Sequence, residues 1–225
     1  MTSAAPEHLR NLLFRLASID TTSLADAGRG VVGVLPPEIR PVRPGLRILG
    51  TAVTVEARDD LMPMLAGLQL AGPGDVLMVA GSPEHAVAGE LFGTEALRRG
   101  MAGIVIDGFC RDTRTLATLD LPVYSRGAVP SAPGASSAHP VVQVPIIIGD
   151  VEVRPGDLVV GDEDGVVVAG AEAMLSVIEA AEEIQQREQT LQRAIAAGES
   201  LFDHVDFDAH LARLQAGEPS KLSFS

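Results

Sequence analysis

Apolar and polar positions along the chain follow two periods, and these place its elements. Leu9, Leu12, Leu13 and Leu16 recur at helical spacing, so residues 7–17 predict a helix. Asp20-Thr21-Thr22-Ser23 supplies capping residues for a second, short helix ending at Ala27. Residues 30–46 carry Pro36, Pro37, Pro41 and Pro44 and predict a loop, which leads into a strand from Arg47 to Val55. A helix is expected over 59–70, broken by Ala71-Gly72-Pro73-Gly74.

The middle of the chain has the strongest pattern. Asp75–Ala80 (DVLMVA) is an apolar run of strand length, and 86–99 has helical periodicity closed by Gly100. A second strand over Gly103–Ile106, a short helix over 111–119 and a third strand over 121–125 complete a strand–helix–strand–helix–strand segment. Its short connections imply parallel pairing and right-handed crossovers. Beyond it, 141–148 and 151–153 predict strands. Two further runs, 158–160 and 166–169, flank Asp162-Glu163-Asp164-Gly165 as a hairpin with a solvent-facing tip. This β-rich half is expected to close a second layer or barrel against the parallel segment. A long helix over 171–197 ends at Gly198, and an amphipathic helix follows over 203–215. With no repeat and no linker, the reading is a single α/β domain over 1–225. Its core is about 20–170, and a C-terminal helical arm starts at 171, long enough to pack between subunits.

Composition narrows the function. In 225 residues there are 17 Lys+Arg and 30 Asp+Glu, a net charge of −13, which argues against phosphate-coating nucleic-acid binding. Trp is absent and Tyr occurs once, leaving little to stack on bases. Hydrophobic residues at 46% exclude disorder over most of the chain. One cysteine, Cys110, excludes a disulfide framework and reads as a small packing residue. With no signal segment and no membrane-length apolar run, a soluble cytoplasmic protein is expected.

Several motifs fail on inspection. The Asp162–Gly165 cluster is not a calcium loop, because Val160 and Ala171 fall at ligand positions. No Walker lysine, HExxH or complete glycine fingerprint is present, and the five histidines are scattered, with His85 nearest the chemistry.

What remains is a convergence. The strands at 75–80 and 103–106 both run out at the carboxyl edge of the sheet, where ligands bind in parallel α/β units. Their loops carry Glu90 and the pair Arg111-Asp112. The helix start from Glu90 to Phe92 presents unpaired amides, a ready anion site. Two carboxylates, one guanidinium and these amides suit a small keto acid beside a hard divalent cation. Structural roles stand beside that reading: Glu90 can complement a helix dipole, Asp112 can cap the next helix, and Arg111 can pair with either.

The ordered set Gly50-Thr-Ala-Val-Thr54, Gly89-Glu90, Gly103-Ile-Val-Ile-Asp-Gly-Phe-Cys-Arg-Asp112, Leu121-Pro-Val-Tyr124, Val153-Arg-Pro-Gly-Asp157 and Asp162-Glu-Asp-Gly-Val166 closely resembles the 4-hydroxy-4-methyl-2-oxoglutarate aldolases and RraA-like proteins over about 20–170. The resemblance implies a layered α/β/β domain, similar to a swivelling phosphohistidine domain, assembled as homotrimers or hexamers. It implies a class II pyruvate aldolase with oxaloacetate decarboxylase activity, in which Asp112 ligates Mg²⁺ or Mn²⁺ and Glu90, in place of the commoner Asp, holds metal-bound water. Arg111 would grip the keto acid and its enolate oxygen, and the stretch Gly89, Glu90, Leu91 and Phe92 would bind substrate, with the Leu91 and Phe92 amides on its carboxylate. Some relatives instead bind and inhibit a ribonuclease, the alternative reading. A methyltransferase would need a glycine-rich cofactor loop, which the sequence does not place.

Overall fold

A computed structural model describes residues 7–224. Helix α1 (Glu7–Leu16) buries Leu12 and Leu16, and α2 (Thr21–Ala27) starts at the expected cap, with the Ser23 amide donating to Asp20 Oδ1 at 2.7 Å. The proline-rich stretch expected to be loop holds two two-residue strands, β1 (Gly33–Val34) and β2 (Arg40–Pro41). Strand β3 (Ile48–Glu56) follows. Helix α3 (Met62–Leu70) begins three residues later than the pattern suggests, because Asp60 Oδ1 takes the Met62 amide at 2.7 Å and Pro63 suits the first turn.

The central segment runs β4 (Asp75–Ala80), β5 (Ala86–Ala88), α4 (Glu90–Arg98), β6 (Gly103–Asp107), β7 (Phe109–Cys110), α5 (Thr113–Leu116), β8 (Val123–Ser125) and β9 (Gly127–Ala128). The helix expected over 86–99 is therefore corrected: its first three residues form a strand, all buried, and helix begins only after Gly89. The helix expected over 111–119 shrinks to four residues for a similar reason, since Asp112 takes a left-handed conformation (φ 55, ψ 37) that no helix interior allows.

The remainder holds β10 (Ile146–Ile148), β11 (Val151–Val153), β12 (Leu158–Asp162), β13 (Gly165–Ala169) and α6 (Ala171–Ala196). Of the strand expected over 141–148, only the last three residues pair as a strand, while Val142 makes a lone bridge to Val55. The β12–β13 hairpin turns through Glu163-Asp164 as predicted, but Asp162 is not at a solvent tip. It is buried, accepting from the Thr21 amide at 2.8 Å and the Thr21 hydroxyl at 2.6 Å, and so anchors the start of α2.

Eight strands form one sheet in the order β1-β13-β12-β3-β4-β6-β8-β2, in which β3, β4, β6 and β8 run parallel and the flanking pairs are antiparallel. The parallel core matches expectation. The β-rich half does not close a separate barrel: β12 and β13 extend the same sheet, and only β10–β11 form a hairpin apart from it. The two rim strands, β1 and β2, are six residues apart in sequence. A flat eight-stranded sheet would hold its rims about 34 Å apart, whereas six residues reach about 20 Å at full extension. The sheet must curl, and Leu35 and Ile39 in the connecting stretch are buried against it.

Alternation along β4 shows why the parallel strands read as continuous apolar runs. Leu77 and Val79 join one core with Met64 and Leu68 of α3 and Ala96 of α4. Val76 and Met78 join a second with Ile146, Ile148 and Val153 of the β10–β11 hairpin. Both faces are covered, so no polar alternation is needed. Burying each of these four β4 side chains contributes about 1.5–3 kcal/mol. A third cluster packs α1, α2 and the first part of α6 on Leu158, Val160 and Val167.

The chain divides into two compact units, residues up to Ala181 and Glu182–Ser225. The second contains the rest of α6, a 3₁₀ turn (Leu201–Asp203) with a Ser200 capping box, and α7 (Phe207–Gln215), shorter than the helix expected over 203–215. Phe202 and Phe207 meet edge to face at 5.7 Å. Among the described residues no helix is long and apolar enough to cross a membrane.

Candidate functional site

The site is built at the carboxyl ends of β4 and β6, where the chain leaves the main sheet twice. Both exits enter the small parallel sheet β5-β7-β9, whose pairing locks them side by side. The Arg111 amide donates to Ala88 O at 2.9 Å, so the residue before Gly89 and the residue before Asp112 are fixed across one hydrogen bond. That bond brings together Glu90, Arg111 and Asp112, which the sequence separates by twenty intervening positions.

A cavity of about 150 Å³ forms there, lined by Leu61, Ala86–Phe92, Arg111, Asp112 and Ala132. Gly89, Glu90, Leu91 and Phe92 thus all border it. Asp112 sits at the N-cap position of α5, yet its side chain makes no cap bond to that helix. Its left-handed backbone turns the carboxylate the other way, where Oδ2 accepts the Glu90 amide at 3.2 Å and lies 3.5 Å from Arg111 Nε. The predicted nest of three amides is therefore corrected. Glu90 N–H is taken by Asp112, and the first bond of the α4 ladder runs from Gly93 N–H to Gly89 O, so the Leu91 and Phe92 amides lie ahead of the ladder. The structure pairs Arg111 with Asp112 rather than with Glu90.

Gly89 is forced by crowding, not by dihedral freedom, since its φ of −154 suits any residue. A β-carbon there would collide with Asp112 Oδ2 and press on Arg111 Cγ. Thr115 of α5 donates its hydroxyl to Glu90 Oε2 at 3.0 Å, holding the longer Glu side chain across the α4–α5 gap.

The crevice walls come from a segment without any motif. Asp60 Oδ2 accepts from the Ser136 and Ser137 amides at 3.0 and 2.8 Å and from the Ser136 hydroxyl at 2.9 Å, strapping 131–137 over the site. The Leu61 amide donates to Gly134 O, and the Ala86 amide to Ser131 O. Sequence reasoning missed Leu61, Ala132, Asp60 and Thr115, because nothing in a Pro/Ala/Ser stretch signals which acid it will dock on. The Met62 amide, with the Ser136 and Ser137 bonds, holds the Asp60 carboxyl below its ordinary 3.8. A depressed folded value means the strap's hold is complete above the unfolded value and is lost as pH falls through the folded one. Asp60→Ala is expected to speed hydrogen exchange at Ser136 and Ser137 at neutral pH and to raise substrate KM at least about threefold by loosening a cavity wall. Wild-type protein should lose protection at these amides, measured against the intrinsic exchange rate at each pH, only in acid.

Two other candidates resolve to structure. Burial pushes the Cys110 thiol up, and Sγ lies 3.3 Å from Ser125 Oγ, as suits a packing residue. His85 does not line the cavity; its Nδ1 lies 3.0 Å from Asp59, which also accepts from Ser82.

The donors around the crevice are carboxylate oxygens, with no imidazole or thiolate lining it. Among the described residues no three His, Cys, Asp or Glu side chains cluster as a closed metal cage. One or two carboxylates without further protein ligands fit a hard, largely hydrated cation such as Mg²⁺ or Mn²⁺, and would not fit zinc.

Comparison with known proteins establishes the family and the fold. The family description "RraA-like: Aldolase/RraA" matches residues 21–168, which include every site residue above. The chain belongs to the RraA-like family. A Halalkalibacterium halodurans protein named "Putative 4-hydroxy-4-methyl-2-oxoglutarate aldolase" is 33% identical over 189 residues, covering 83% of this RraA-like chain and 89% of the relative. An uncharacterized protein from Pseudomonas syringae superposes with a TM-score of 0.76 at 29% identity, over 86% of this chain and 96% of that one. The RNA-processing inhibitor RraA from Thermus gives a TM-score of 0.61 at 29% identity, over 67% and 92% of the two chains. The shared fold is a mixed α/β domain with a curled mixed sheet.

Proposed function

We propose that this RraA-like chain is a divalent-metal-dependent lyase. It cleaves 4-hydroxy-2-oxo acids of the 4-hydroxy-4-methyl-2-oxoglutarate type to pyruvate, and it decarboxylates oxaloacetate. The observation that carries the reading is the meeting of Arg111, Asp112 and the free α4 amides around one cavity.

In this reading the amides of Leu91 and Phe92 hold the substrate carboxylate, and Arg111 faces the 2-oxo oxygen. Removal of the C4 hydroxyl proton lets the C3–C4 bond break. Its electron pair moves to the C2 oxygen as an enolate, and the second carbonyl compound departs. Arg111 stabilises the enolate as charge develops, which is where a preorganised donor contributes most. Protonation at C3 then gives pyruvate. Loss of CO₂ from oxaloacetate produces the same enolate. Asp112 would ligate a bound Mg²⁺ or Mn²⁺, with Glu90 beside it, and that cation supplies Lewis-acid stabilisation of the oxyanion. By the family resemblance Glu90, its Oε2 held by the Thr115 hydroxyl at 3.0 Å, would orient the water that takes the proton.

Pyruvate release is expected to vanish in excess EDTA and to return with Mg²⁺ or Mn²⁺; full activity in EDTA would end the proposal. We also read the three layers, with helices on one face of the curled sheet and the β10–β11 hairpin on the other, as the α/β/β arrangement of a swivelling phosphohistidine domain. The family resemblance supports assembly as a homotrimer or hexamer, in which a neighbouring copy would cover Leu91, 76% exposed at the crevice mouth. The likeness to an RNA-processing inhibitor supports a second reading, a regulator that docks on a ribonuclease. Inhibition of a pure ribonuclease, with no metal-dependent turnover, would favour it.

A further inference from the structure

We infer that Thr115 is the positioning residue for Glu90, and that its hydroxyl, not its bulk, is what turnover requires. This rests on the lyase reading above and deepens it. A threonine in a helical turn usually returns its hydroxyl to a carbonyl three or four residues back. Thr118 does so, donating to Thr115 O at 2.7 Å. Thr115 does not. Its hydroxyl leaves α5 and donates to Glu90 Oε2 at 3.0 Å, while its amide donates to Asp112 O at 2.9 Å. The Glu90 amide in turn donates to Asp112 Oδ2 at 3.2 Å, so three bonds close a ring through Glu90, Asp112 and Thr115. Each carboxylate of the crevice is held by one of its oxygens, and Thr115 is the residue that ties the two together.

The reach across depends on how closely α5 approaches α4. Gly93 is buried and lies three residues from Glu90, on the same face of α4. A β-carbon at Gly93 would stand 2.6 Å from Leu116 Cδ2 and 2.9 Å from Leu119 Cδ1. Glycine there lets the α5 segment settle against α4, which brings Thr115 within reach of the Glu90 carboxylate. An aspartate at that position would stop one methylene short. Glutamate spans the gap but adds a rotatable bond, and without its tether the carboxylate would spread over more rotamers. Displacing a reacting group by about 1 Å can cost about 10²-fold in rate. The fold, by contrast, barely depends on a single surface side-chain bond.

Thr115→Val keeps the branched shape and removes the hydroxyl. It is expected to lower kcat for pyruvate release at least about tenfold, with KM within about twofold and the melting midpoint unmoved. Thr115→Ser, which returns the hydroxyl, should bring kcat back to within about threefold of wild type. Calorimetry with Mn²⁺ alone should give the same order, the valine variant binding at least about threefold more weakly. In a Glu90→Asp background the valine change should cost less than about twofold, because the shorter side chain has already left Thr115. Either loss, repaired by serine and absent from that background, supports the assignment. A valine variant with kcat and Mn²⁺ affinity both within about twofold of wild type, or a loss undiminished in the Glu90→Asp background, overturns the inference and leaves the lyase standing. Wild-type protein that neither releases pyruvate nor decarboxylates oxaloacetate ends the lyase reading instead, and the Mn²⁺ comparison then decides whether the tether holds.

Discussion

Arg111→Ala is expected to lower pyruvate release by at least about 10²–10³-fold, the usual cost of removing one preorganised oxyanion partner. The fold should not notice. Arg111 is held in place through its backbone amide, which alanine keeps, and its side chain is 43% exposed with an ion pair to Asp112 no shorter than 3.5 Å. Exposed pairs of that kind contribute about 0–1 kcal/mol. Steady-state kinetics beside a thermal melt separates the two effects. Arg111→Lys should recover little, because a point charge does not reproduce the planar fork. Turnover that survives Arg111→Ala would take this residue out of the mechanism.

Asp162→Ala should act the other way round, on stability first. Its carboxylate is buried and accepts from the Thr21 amide, the Thr21 hydroxyl and, at 3.0 Å, the Asp164 amide. Bonds to a charged acceptor are worth about 1.5–3 kcal/mol, and an orphaned buried donor costs about 1–3 kcal/mol more. A loss of about 3 kcal/mol is expected, or about 6–12 °C in the melting midpoint of a unit this size. The site lies on other elements, so kcat at low temperature should stay within about twofold. A midpoint unchanged by the substitution would show that α2 does not depend on this anchor.

The residues differ in how plainly the sequence announced them. Strand β4 was legible to the residue, because a buried parallel strand leaves an unbroken apolar run bounded by Gly74 and Gly81. The meeting of Glu90 with Arg111-Asp112 was legible too, since parallel topology sends both loops to one edge. Strand β5 was not: Ala86, Val87 and Ala88 satisfy helical periodicity as well as strand, and the choice was made by β7, a partner more than twenty residues away. Asp162 looked like a turn acid because Asp-Gly favours a hairpin tip, and only tertiary packing brought Thr21 to it. The strap over the crevice was invisible for the same reason. Its order comes from Asp60, far away in the chain, and its own residues carry no period.

One stretch, residues 33–41, supplies both outermost strands of the curled sheet. Both margins of the sheet are therefore formed by a single clasp, each end only two residues long and one carrying Pro41, which leaves little edge backbone to template pairing with another molecule. Lengthening or nicking that clasp between Leu35 and Ile39 would unfasten the two margins together. An equal insertion in any hairpin elsewhere frees at most one, so self-association should be far more sensitive to this short segment than to the larger loops.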